Sequence, residues 1–93
     1  MLAIRAIDAH EGTFEVTVDE GAITTTHTVT VPPGLEATLG WAPGRQALLV
    51  RRSFEFLLER EPAGHILRRF SLDVIGDYFP EYATEMARRA QDP

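Results

Sequence analysis

The chain has 93 residues, no cysteine and a formal net charge of −5. Its content of 44% apolar and 25% charged residues is that of a globular protein and excludes an intrinsically disordered one. The missing thiols exclude disulfides, cysteine nucleophiles and zinc sites built on sulfur, so packing must hold the fold, with self-association as a further means.

All nine basic residues are arginine, which fits the codon bias of a GC-rich bacterial genome. Residues 1–40 hold Arg5 against Asp8, Glu11, Glu15, Asp19, Glu20 and Glu36. From residue 41 onward the charges balance, with the pairs Arg51-Arg52, Arg68-Arg69 and Arg88-Arg89. The acidic first portion repels nucleic acid and anionic membrane. No apolar stretch approaches the length of a membrane span, and Met1-Leu2-Ala3-Ile4-Arg5 lacks the pattern of a signal peptide, so a cytoplasmic location is expected.

Strands come first. Ile4 to Asp8 is expected to be one, reached through a turn at His10-Glu11-Gly12. Phe14, Val16 and Val18 alternate with Thr13, Glu15, Thr17 and Asp19, the period of a half-buried strand. Ile23 to Val31 is rich in β-branched residues and forms the next strand. With Glu20-Gly21 as a two-residue loop, Val18 would face Ile23, Val16 would face Thr25 and Phe14 would face His27.

Pro32-Pro33-Gly34 ends the sheet, and Leu35 to Gly44, which carries Trp41, is expected to be irregular or a single helical turn. A long helix follows from Gly44 or Arg45 to Arg60. Ala47, Val50, Phe54, Leu57 and Leu58 form its core stripe, while Leu49 and Phe56 lie on another side. Pro62 opens a short helix to about Arg69, Ser71 caps another over Leu72 to Tyr78, and Pro80 opens a last one through about Ala90. The expected fold is α+β in one domain: residues 1–33 form a two- or three-stranded antiparallel meander, and residues 34–93 form three or four helices packed on one face.

No catalytic kit is visible. His10, His27 and His65 lack the helical spacing of a metal pair, Ser53 and Ser71 sit outside any nucleophile turn, and the glycines are dispersed as single turn residues. Glu55 and Glu59 read as a solvated helix face together with Arg51, and Asp73 suits the first turn after Ser71. Ile66 to Tyr78 superficially resembles a helix-turn-helix, but its second helix carries Asp73 and Asp77, which phosphates repel. Tyr78-Phe79-Pro80-Glu81-Tyr82 reads as core with hydroxyls reaching the surface, or as an exposed aromatic docking site.

Ser53-Phe-Glu-Phe-Leu-Leu-Glu-Arg-Glu-Pro62, Ile66-Leu67, Phe70-Ser-Leu72, Ile75 and Tyr78-Phe-Pro-Glu-Tyr82 together resemble a small family of uncharacterised bacterial proteins of about this length. That resemblance implies a stand-alone small bacterial protein and brings no activity, cofactor or site with it.

The leading expectation is a non-enzymatic protein-interaction or regulatory module, with Leu49 and Phe56 as contacts for a protein partner or a second copy in a homodimer, and an exposed strand edge as the other option. The alternatives are a nucleic-acid-associated regulator that contacts anions through Arg51, Arg52, Arg68 and Arg69, assisted by Arg88, and a small-ligand binder with a pocket between sheet and helices near His27 and Trp41. No metal, cofactor or membrane association is expected.

Overall fold

A computed structural model describes residues 1–8 and 10–90. Three antiparallel strands, β1 (Leu2–Asp8), β2 (Thr13–Asp19) and β3 (Thr24–Thr30), come first. A one-turn helix α1 (Leu35–Thr38) leads to the long helix α2 (Gln46–Leu58). A 3-10 turn (Ala63–His65) then precedes β4 (Arg69–Ser71), and a second 3-10 turn (Leu72–Val74) runs into α3 (Ile75–Tyr78), before α4 (Tyr82–Arg89). The sheet order is β1-β2-β3-β4, with β4 parallel to β3. The fold is therefore α+β with a mixed four-stranded sheet, rather than the purely antiparallel meander expected.

The alternation in β2 and β3 decides which face is buried. Phe14, Val16, Val18, Thr25, His27 and Val29 are buried, and the residues between them are half-buried or exposed. The hairpin register differs from the expected one. Val18 pairs with Thr25, Val16 with His27 and Phe14 with Val29. The Glu20 N–H donates to the Ile23 carbonyl at 2.9 Å, so the two loop residues are Gly21 and Ala22, with Gly21 at φ 85°. The strand has slipped by two residues. Because side chains alternate with period two, the slip leaves every residue on its expected face and only pushes Ile23 out to solvent.

The turn into β2 is tight for a separate reason. Gly12 has φ 69°, and a Cβ there would lie 2.8 Å from the Val31 carbonyl oxygen. A side chain there would force the backbone to shift, and the Gly12 carbonyl takes the Val31 N–H at 2.8 Å.

Helix α2 buries Leu49, Val50, Ser53, Phe54, Phe56 and Leu57, two adjoining stripes rather than one. Ala47, expected in the core, is exposed. Phe54 touches the His27 ring at 5.4 Å and Phe70 at 6.0 Å, which seats the helix on the sheet. Phe56 faces the other way, edge-on to Phe79 at 5.8 Å and to Tyr82 at 5.5 Å, which seats α4 and the segment leading into it on the helix. The helix is thus wrapped by the chain itself.

The segment after Pro62 departs most from expectation. A helix to Arg69 is replaced by one 3-10 turn and a strand. Two bonds recruit the strand: the Thr28 N–H donates to the Arg68 carbonyl at 2.7 Å, and His27 Nδ1 bonds the Leu67 carbonyl at 2.7 Å. Pro62, in extended geometry, starts the turn without a following long helix. Ser71 bonds the Asp73 carboxylate instead of capping a backbone N–H. No helix among the described residues is long and apolar enough to cross a membrane.

Candidate interaction groove

His27 is fully buried, and its bonds fix its protonation. The Leu67 carbonyl only accepts, so Nδ1 carries the hydrogen; Nε2 then accepts from the Thr25 hydroxyl at 2.8 Å. Burial holds its pKa below 6.5, the nearby Arg68 charge pushes the same way, and the backbone bond opposes both. His27 is thus a neutral strut between β3 and the approach to β4 rather than a ligand. Trp41 is also buried, with its indole N–H donated to the Met86 carbonyl at 2.8 Å. Both side chains expected to border a pocket are thus buried with their polar atoms bonded within the chain.

Leu49 and Phe56 are buried as well, so neither is available as the partner or homodimer contact expected of them. The Arg60 guanidinium stacks over the Phe56 ring at 3.6 Å and reaches Glu81 at 3.3 Å, and Arg89 holds Glu59 at 2.8 Å and Glu85 at 3.2 Å. Hydrogen bonds from Arg88 and Arg89 hold the Glu85 carboxyl down to about 2. These charges lock the C-terminal end of α2 to α4.

The arginine pairs do not converge. Arg51 donates to the Leu2 carbonyl at 3.3 Å at the β1 edge, and Arg52 pairs with Glu55 at 2.8 Å. Arg68 and Arg69 lie at the β4 edge, three strand spacings (roughly 14 Å) away. Because Arg69 sits in a strand, the apparent helix-turn-helix does not form. Among the described residues, no three of His, Asp and Glu gather to hold a metal.

The tyrosines of the aromatic string separate. Tyr82 is core, its hydroxyl 2.7 Å from Ser53 Oγ rather than at the surface, and burial pushes its pKa up to about 12. Tyr78 is 67% exposed.

Tyr78 stands at the mouth of a groove of about 340 Å³ between the 3-10 turn, β4 and α3. Its apolar walls include Leu57, Ile66, Phe70 and Ile75, and its polar groups are Glu61 and His65. Leu67, 50% exposed, lines it too, so two large apolar side chains that solvent reaches belong to this one feature. Sequence reasoning missed it because its walls come from five elements, α2, both 3-10 turns, β4 and α3, and the stretch from Pro62 to Arg69 was expected to be a helix. The nearest signal was the string from Tyr78 to Tyr82, of which Tyr78 and Phe79 line the groove.

The groove adjoins an open strand edge. In a parallel ladder alternate residues turn their backbone groups to the neighbour. The Thr28-to-Arg68 bond and the pairing of Thr28 with Arg69 assign residues 68 and 70 to β3, so the N–H and C=O of Arg69 point outward. Among the described residues neither group has a backbone partner. Phe70 pairs with the inward Val29, so the side chain beneath this edge is a wall of the groove.

Comparison with protein-family models, curated proteins and solved structures returned no match.

Proposed function

We propose that this chain is a non-enzymatic protein-interaction module of a bacterial cytoplasm that binds an extended segment of a partner protein along β4. The observation that carries this is the juxtaposition of an unpaired strand edge with an apolar groove directly beneath it. Strand addition uses both: backbone bonds supply affinity, and a pocket for alternate side chains supplies selectivity. Leu67 and Tyr78, exposed in the free chain, would be covered in the complex.

The test is amide chemical-shift mapping with a short unstructured peptide carrying Leu at alternate positions. Shifts are expected at residues 67–71 and 74–79, and Val74→Arg, which places a charge in the groove wall, should weaken binding at least tenfold. Equal binding by that variant, or shifts confined elsewhere, would reject the function.

The groove volume also lies in the range of small-molecule sites, which favours an apolar small ligand as a second reading. Small apolar compounds that raise the melting temperature when the peptide does not would select it.

A further inference from the structure

The open face of the sheet carries one row of charge that runs to the β4 edge. Arg5 pairs with Glu15 across β1 and β2, their groups 2.9 Å apart. Glu15 stands opposite Thr28, and Thr28 opposite Arg69. Glu15 is thus flanked by Arg5 on one side and, two strands on, by the exposed Arg69. No carboxylate pairs with Arg69 among the described residues, in contrast to Arg52, Arg60 and Arg89. The row ends in a cation at the same residue whose backbone N–H and C=O face outward.

We infer that the partner segment is an apolar-acidic alternating strand that sets a carboxylate beside Arg69 and its neighbouring apolar side chains into the groove. This rests on the docking function proposed above and names the chemistry of its partner. The reason is register. A strand added to β4 must place one residue beside Arg69 on the open face, and the residues before and after it then point to the opposite face, where Phe70 and the groove lie. Directly opposed unlike charges on neighbouring strands attract, and like charges repel. A basic residue at that position would meet the Arg69 guanidinium with no carboxylate in the row nearer than Glu15. The groove itself offers one carboxylate, Glu61, and one imidazole, His65, so its selectivity is for apolar side chains.

The probes are fluorescein-labelled short peptides of one sequence, with flanking Thr, two Leu and between them Glu, Gln or Lys. Affinities are read by anisotropy against the full chain at low and high salt. The Glu peptide should bind about fivefold more tightly than the Lys peptide at low salt, the upper range for one cross-strand charge pair, and the gap should close as salt rises. Arg69→Glu should invert the order, and Arg69→Gln should abolish the difference. Either variant lies on an exposed edge, and circular dichroism checks its fold. If the three peptides bind equally, or Arg69→Glu leaves the order unchanged, the acidic-partner inference fails while docking along β4 stands. If no peptide binds, or Val74→Arg has no effect on any of them, both fail. A concentration-dependent dimer dissolved by Val74→Arg would overturn the inference in favour of a second copy on this edge.

Discussion

Replacing His27 by alanine should be among the most damaging single changes in the chain, and it should change the pH dependence as well as the stability. The ring is fully buried between Thr25, the Leu67 carbonyl and the Phe54 ring. Truncation leaves the buried Thr25 hydroxyl unpaired, at about 1–3 kcal/mol, frees the part-buried Leu67 carbonyl at smaller cost, and opens a cavity beside Phe54. The sum is about 3–5 kcal/mol, a large part of the roughly 5–15 kcal/mol of a typical domain. Urea unfolding at pH 8 should show a midpoint lower by about 2 M at the usual slope for small proteins. The pH term has a definite sign. The folded pKa is depressed below 6.5, so the unfolded chain binds the extra proton and the neutral ring favours folding. This contribution is complete above 6.5 and is lost as pH falls through the folded value, with a slope of at most about 1.4 kcal/mol per pH unit. Wild-type stability should therefore decline between pH 7 and pH 5, and the alanine variant should lack that share of the decline. Parallel stability curves for the two proteins across this window would refute the assignment of His27 as a buried neutral strut.

Two further outcomes follow from the core. Ser53→Ala and Tyr82→Phe each leave one hydroxyl of a buried 2.7 Å pair without its partner, costing about 1–2 kcal/mol, whereas the double variant removes both polar groups. A double-mutant cycle from denaturant unfolding should therefore show the double variant well short of the sum, and strict additivity would deny the coupling. Gly12→Ala must force a Cβ to within 2.8 Å of the Val31 carbonyl at φ 69°, so a loss of about 1–3 kcal/mol is expected, read as a drop in melting temperature. The same substitution at Gly21, where φ is 85° but nothing lies within 4 Å, should cost less.

The locking of α2 to α4 shows how charge and packing combine here. Arg60 covers Phe56, and Arg89 bridges Glu59 and Glu85, so these arginines act through their stems as well as their charge. Glu85 is held to about 2 by Arg88 first, so its stabilising contribution is present above the ordinary carboxylate value of 4.5 and fades as pH falls toward 2.

What the sequence determined by itself is the set of local decisions. Period-two alternation placed Phe14, Val16 and Val18 inward, proline and glycine marked where strands and helices end, and helical spacing set α2 over most of its length. Even the two-residue slip of the hairpin spared the faces, because parity and not exact register carries that information. Tertiary structure decided everything that needed distant partners. Arg69-Phe70-Ser71 is too short for a period to be read, and it becomes a strand only because Thr28 and His27, some forty residues earlier, offer a ladder and a strut. Leu49 and Phe56 looked like uncovered surface because a helix considered alone cannot show that Phe79 and α4 fold back over it. The groove and the open edge beside it exist only once α2, the two 3-10 turns, β4 and α3 meet. Long-range hydrogen bonding and closure of the chain on itself, neither encoded in any local window, create the groove and the strand edge beside it.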